Sequence, residues 1–330
     1  MQAYITSIGV ISPQNTTTGS FVCDLPHRGE RILRCIEPDY RQLIPASGLR
    51  RMSRVIKLGL GTAQICLNDA DNIQPDAILV GTGLACINEL ETFLLSMLDG
   101  DEQGLSPIPF INSSHNTVAA QISRFLYNHS YNNTYCHRGA SFESALIDAL
   151  MLIGGGEATQ VLVGGMDEFS MHYHNLLTYA GETAVSGEGA AFFMLCGKPQ
   201  AKTYARVTAV ETGYRPDEDF LAHFLDKHRL SAADIDVVLR GVNGTPDDEI
   251  YHTATADMFP PSTRFAEWKH LCGEYMTSGS FALALAAHAL HKGKFPASAC
   301  TGEIIRQPER ILIFNHYRRQ NYTLTLLEKP

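Results

Sequence analysis

Apolar runs bounded by turn-forming residues recur along the chain and predict strands over 3–11, 77–80, 160–163, 190–195, 205–210, 237–239, 310–314 and 322–327. Stretches of helical spacing lie between them. In RRMSRVIKLGLGTAQICLNDA, residues 50–70, apolar side chains fall on one face and Arg and Lys on the other, which predicts an amphipathic helix ending near 68–71. Strands alternating with helices predict an α/β protein with layered sheets.

The pattern also repeats within the chain. Ser141-Phe142-x-x-Ala145-Leu146 followed by Gly154 reappears as Ser280-Phe281-x-x-Ala284-Leu285 followed by Gly293, each glycine thirteen residues after its serine. Each copy reads as an almost wholly apolar helix, started by a Ser cap and stopped by Gly, and helices apolar all round belong inside a protein. DAILVGTG at 76–83 is matched by DVVLRGVNG at 236–244, and GEATQVLVGG at 156–165 is echoed by ERILIFN at 309–315. These matches predict two duplicated halves forming one compact unit, 1–198 and 199–330, each placing one buried helix between sheets.

A chain of 330 residues with 45% hydrophobic content can bury a substantial core. Its net charge of −9 argues against a nucleic-acid partner, which needs concentrated Lys and Arg. The pairs Arg50-Arg51 and Arg318-Arg319 are candidates for meeting a small anionic partner such as an acidic carrier protein, against the commoner reading of solvated surface. The first residues, MQAYITSIGVISPQN, alternate like a strand, without a basic leader and apolar core, and no apolar run is long enough for a membrane span. A cytoplasmic protein without a membrane partner is expected. The eight cysteines, at 23, 35, 66, 86, 136, 196, 272 and 300, form no CxxC pair and read as free thiols. His172 and His174 in MHYHN could face one side of an extended segment, but no third ligand is near, so no metal and no cofactor are expected.

Several segments together resemble the β-ketoacyl carrier-protein synthases. SIGVISP is similar to their opening strand, VGTGLACINELETF to their glycine turn and helix, and HNTVAAQISRFL to the segment before their nucleophile strand. GEATQVLVGGMDE, SGEGAAFFML, GTPDDE and GKFPAS continue the resemblance over nearly the whole chain. It implies the thiolase-like fold, α/β with two duplicated halves and layered sheets around buried central helices (α-β-α-β-α).

The resemblance also implies a chemistry. Family members carry a cysteine at the N-terminus of the first buried helix, where the helix dipole favours the thiolate, and two histidines that assist decarboxylation. Carried onto this chain, the nucleophile position is Gly139, the first histidine position is Gly241 with Asn243 close by, and the second is Gly273 or Glu274, while Lys269 matches the family lysine. The family's glycine-rich C-terminal loop corresponds to NHYRRQNY, 315–322, with large residues at 317–320 that should block one wall of the pocket. All three catalytic side chains are absent at these positions. The implied role is a non-catalytic subunit like a chain-length factor, pairing with an active synthase or with itself, and meeting acyl carrier protein. By resemblance, 131–138 would be the interface strand.

Several residues carry rival readings. Cys136 with adjacent His137 could be a displaced nucleophile, but on a strand neighbouring side chains point apart, so packing is the commoner reading. Cys272 beside His270 is weaker for the same reason. Ser141 could be a nucleophile at a helix N-terminus or an ordinary cap, and its repeat as Ser280 favours the cap. Glu143, in the first turn of a buried helix, could offset the dipole or pair with Arg138, and Lys269 with Glu274 could form an ion pair in place of the lost acid-base groups.

Overall fold

The computed structural model describes residues 2–16, 21, 23, 31–50, 52–100, 102–245, 248 and 255–330. Parts of the expected Arg50-Arg51 pair and of GTPDDE lie outside these residues. Among the described residues ten strands run in chain order: β1 Ala3–Ile11, β2 Ala77–Gly81, β3 Tyr131–Tyr135, β4 Gln160–Asp167, β5 Gly189–Cys196, β6 Ala205–Tyr214, β7 Val237–Arg240, β8 Arg264–Glu267, β9 Arg310–Tyr317 and β10 Asn321–Glu328. Helices of six residues or more are α1 Arg54–Asp69, α2 Ile87–Asp99, α3 Pro107–Asn112, α4 Thr117–Leu126, α5 Ser141–Gly154, α6 Met171–Tyr179, α7 Phe220–Lys227 and α8 Gly279–Lys292.

The strands hydrogen-bond in the order β3-β2-β4-β5-β1-β6-β10-β9-β7-β8. Read inward from each edge, the first half runs β3-β2-β4-β5-β1 and the second β8-β7-β9-β10-β6. Both follow the sequence third, second, fourth, fifth, first. Directions match as well, since β2 is parallel to β3 and β4 just as β7 is parallel to β8 and β9, with the remaining pairs antiparallel. The duplication reaches single hydrogen bonds. Asp76, just before β2, accepts from the backbone N–H groups of Thr159 and Gln160 at the start of β4 (2.8 and 3.1 Å), and Asp236, before β7, accepts from Glu309 and Arg310 at the start of β9 (2.9 Å each).

The expected pair of sheets is joined into one. Three residue pairs between β1 and β6, such as Tyr4 with Arg206, link the inner edges that each half would otherwise leave open. Alternation along the strands sorts the core into layers. Ile78, Val80 and Leu162 face α1 and α4, while Leu79, Val161 and Val163 face a central cluster with Phe142 and Leu146 of α5 and Phe281 and Leu285 of α8. From the other side Val237, Leu239, Ile311 and Ile313 close on the same helices, and Val238, Leu312 and Leu324 turn outward to Phe224 of α7.

Two strands escaped the apolar pattern. β3 (YNNTY) and β8 (RFAE) are the outermost strands of the sheet, where burial is partial and the pattern weak. The central helices also start differently from expectation. Ser141 is the first residue of α5 and its Oγ donates to Arg138 O (2.6 Å), while Ser280 is the second residue of α8 and donates to Thr277 O (2.8 Å). These hydroxyls satisfy carbonyls of the preceding turn instead of capping N–H groups. Gly293 ends α8 in the left-handed region (φ 68°); after α5 that conformation falls on Gly156 (φ 74°), not Gly154.

The start of α5 is pressed onto β2. A Cβ at Gly81 would stand 2.5 Å from both Phe142 Cα and Ser141 O, so only glycine lets the helix reach this position. Gly81→Ala is therefore expected to lower the unfolding free energy by about 2–3 kcal/mol in chemical denaturation, since the obstruction is backbone and cannot rotate away.

Candidate functional site

The turn Arg138–Ala140 leads into α5 and carries Gly139, which is buried. A Cβ built there would lie 2.1 Å from Tyr317 Cβ and 2.9 Å from Tyr317 Cγ. Tyr317 ends β9, is buried, and shares a 3.0 Å hydrogen bond between its hydroxyl and that of Tyr173 on α6. Burial, then the Tyr173 phenol, push its own phenol above the usual range. The loop expected at 315–322 is a tight hairpin. Asn321 pairs with Tyr317, Gln320 N–H donates to Tyr317 O (3.1 Å), and Arg318 and Arg319 both take positive φ (51° and 49°). Arg318 is further held by Glu182 at 2.7 Å. This hairpin fixes the tyrosine over Gly139.

The other two positions are equally closed. A Cβ at Gly241 would meet Asn315 Oδ1 at 2.5 Å and the Trp268 ring at 2.9 Å. Gly273 has φ 79°, and a Cβ there would meet Gly187 Cα at 2.5 Å, so backbone strain and contact both exclude a side chain. The next residue, Glu274, does project into the site. Its Oε2 accepts from Lys269 Nζ (2.8 Å) and more weakly from Asn243 Nδ2 (3.3 Å), so Asn243, unlike Gly241, reaches this carboxylate. Lys269 also donates to the carbonyl of His316 (2.7 Å), and its side chain is almost wholly buried. Glu274 Oε1 is buried without a hydrogen-bond partner.

Glu143 does not meet Arg138. Its Oε1 accepts from Thr323 Oγ on β10 (3.1 Å), and a Cβ at Gly279 would stand 2.2 Å from that oxygen, which places the carboxyl at the start of α8 as well as of α5. Its Oε2 lacks a partner, and burial pushes its pKa up to about 7. Deeper still, His316 Nε2 and Asp248 Oδ1 form a buried pair. Neither that pair nor the tyrosine at Gly139 was visible in the sequence, because both join residues far apart along the chain. A small residue at 139 facing a large one at 317 is the signal that a pairwise comparison could read.

Cys136 lies just past the end of β3 and not on the strand, so the alternation argument against it lapses. It is exposed, and its thiol is pushed up to about 11, first by partial burial and then by the charge of Asp167, which leaves little thiolate at neutral pH. His137 Nδ1 is engaged by Ser144 Oγ at 2.9 Å. The cysteine beside His270, Cys272, is buried with its thiol far above the ordinary range, chiefly from desolvation. His172 and His174 sit on helix α6, not on an extended segment, and His174 Nδ1 bonds Ser186 Oγ at 2.8 Å. Among the described residues no group of three or more His, Cys, Asp and Glu is arranged for a metal ion. No helix there is long and apolar enough to cross a membrane.

Beside Tyr317 and Glu274 a cavity of about 270 Å³ opens, walled by Leu84, Phe169, Leu177 and Met276 with the carboxylates of Asp167 and Glu168. Asp167 is locked in place, accepting from Thr82 Oγ, Gly83 N and Thr277 N at 2.8–3.0 Å.

Two outcomes test this geometry. Gly139→Cys should destabilise the protein by about 1–3 kcal/mol through overlap with Tyr317, and adding Tyr317→Gly should recover part of the loss coming from that contact, read as a coupling in thermal or urea unfolding. Because the folded Glu143 carboxyl titrates near 7 against a reference of 4.5, its stabilising share is complete below 4.5 and is lost as pH rises through about 7. Across that window the unfolding free energy of Glu143→Gln should therefore gain on wild type by up to about 3 kcal/mol, measured by denaturation at each pH.

The family model for the β-ketoacyl synthase N-terminal domain matches residues 34–212, more than half of the chain. No curated protein matches the sequence. Among solved structures, the fold is similar to "The ishigamide ketosynthase/chain length factor" (15% identity, TM-score 0.83, covering 100% of this chain and 99% of that one). It is also similar to a β-ketoacyl synthase from Burkholderia phymatum STM815 (14%, 0.81, 100% and 99%). A third similar structure is the ketosynthase ApeO in complex with its chain length factor ApeC from Xenorhabdus doucetiae (15%, 0.79, 99% and 98%). At these identities the structures speak for the thiolase-like fold alone, and it is the family model, matching across the turn that holds Gly139, that shows this chain to be a member of the β-ketoacyl synthase family.

Proposed function

We propose that this chain is a non-catalytic, ketosynthase-like subunit of the chain-length-factor type, which pairs with an active β-ketoacyl synthase in fatty-acid, polyene or polyketide synthesis. The reading rests above all on Tyr317 occupying the space that a side chain at Gly139 would need. A thiol nucleophile cannot be accommodated there without moving a buried ring, and the positions assigned to the histidines offer two closed glycines, an Asn and an ion-paired Glu. The similarity in fold to the ishigamide ketosynthase/chain length factor and to ApeO with its chain length factor ApeC supports the assignment.

Pairing would use β3. It is an outermost strand with one edge unpaired among the described residues, and Tyr131 and Tyr135 both hydrogen-bond Asp148 of α5 beside it. Exposed Leu98, Ile108, Phe110 and Ile111 of α2 and α3 and exposed Met151 of α5 are apolar surface suited to a partner. In this proposal acyl carrier protein meets the pair, the two halves divide at 198/199, and the eight free thiols suit a reducing cytoplasm.

The exposure of Cys136 favours one rival, an atypical acyltransferase. A stand-alone homodimer that binds acyl chains or carrier protein is a third reading. Co-expression with synthases encoded beside the gene, followed by purification through a tag on this chain, should bring down an active synthase in equal amount. Incubation with acyl-carrier substrates should leave this chain unmodified by mass spectrometry. An acyl adduct that disappears in Cys136→Ala would overturn the proposal in favour of the enzyme, and a sole homodimer would favour the third reading.

A further inference from the structure

Helix α6 is held differently from most of the others. α1, α4, α5, α7 and α8 each place side chains in the apolar core, whereas no residue from Met171 to Ser186 is buried and none belongs to that core. The segment is nevertheless fixed at both ends. Before it, Phe169 N–H donates to Glu188 Oε2 (2.9 Å); after it, Ser186 N–H and Gly187 N–H donate to the carbonyls of Arg31 and Glu274 (3.0 Å each). Between these anchors the chain turns at two places. One is Ser170, extended and just outside the helix, and the other is Gly181, whose φ of 90° and open surroundings leave it free to rotate.

Among the described residues, three polar links tie the stretch between these turns to the rest of the protein. The Tyr173 hydroxyl meets that of Tyr317 (3.0 Å), His174 Nδ1 meets Ser186 Oγ (2.8 Å), and Glu182 pairs with Arg318 (2.7 Å). The His174 ring also leans on Phe169, centroid to centroid 5.6 Å. Each link joins at least one partly exposed group, and links of that kind contribute little apiece. On its inner side the stretch forms a wall of the cavity of about 270 Å³ through Tyr173, His174, Leu177 and Glu182. We propose that residues 171–182 are a lid on this cavity, hinged at Ser170 and Gly181, which swings outward as one body and opens the interior beside Tyr317 to solvent. Opening breaks the three links and leaves the apolar core untouched, so it belongs with the low-free-energy local openings of a native protein.

Hydrogen–deuterium exchange of the full chain, followed by mass spectrometry with the buried helix α5 as internal reference, tests this. The hydrogen-bonded amides from His174 to Glu182 should share one level of protection, lower than that of mid-α5 by about 100-fold or more. Fraying of a surface helix would instead give protection graded from its ends. Tyr173→Phe and Glu182→Gln cut links near opposite ends of the lid. Each should speed exchange over the whole segment, relative to α5, by about twofold or more, because a lid that moves as one body is released everywhere by the loss of any link. The readout is a ratio within one molecule, so a variant that is less stable overall still reports on the lid. Protection equal to that of α5, acceleration confined to the amides beside the substituted residue, or an unchanged ratio in either variant would each overturn the proposal. None of these outcomes bears on whether a synthase co-purifies.

Discussion

Helix α5 meets β2 at a distance that only a glycine permits, and much of the molecule is arranged around that contact. With Gly81 under its first turn, the helix lies flat against the first half of the sheet, and its apolar surface is left to meet α8 and the second half. A helix apolar on nearly every side gains its stability from burial all round, so the second half is a requirement for the first and not an appendage to it. The three β1–β6 pairs are modest beside this. They close two sheet edges, whereas the shared helices α5 and α8 make the two halves one core.

The same closeness decides what the site can hold. At the start of α5 there is room for either a side chain on residue 139 or a ring from residue 317, and the hairpin after β9 delivers the ring. Around it the polar groups pair with one another: Lys269 with Glu274, His316 with Asp248, Glu143 with Thr323. Buried charge is costly unless matched, and here the matches are internal, while Glu143 and Glu274 each keep one oxygen unmatched. The result is an interior whose polar groups are for the most part matched to one another.

Eight of the ten strands and both central helices were legible from apolar patterning, because those elements are buried on one or both faces. β3 and β8 were not, since an edge strand is under weaker pressure to alternate. The internal repeat was legible down to Asp76 and Asp236, whose placement before a strand follows from a backbone requirement that recurs in each half. Of the site, the residue types were readable but the occupancy of space was not. Nothing local to Gly139 announces Tyr317, and nothing local to Gly241 announces that Asn243 is the side chain reaching Glu274. The serines misled because a hydroxyl at a helix start can serve the turn before it as readily as the helix after it.

The register of β1 has a consequence for how the protein is made. Its neighbours on the sheet are β5 and β6, with Ile8 opposite Phe193 and Ala3 opposite Val207, so during synthesis this strand has no partner in the described sheet until β5, Gly189–Cys196, has been made. During that interval a nine-residue strand, almost all of it buried in the finished fold, stands with both edges open. The nascent chain therefore carries this strand unpaired over that interval, and its yield in a cell depends on what shields the strand as much as on the stability of the completed core.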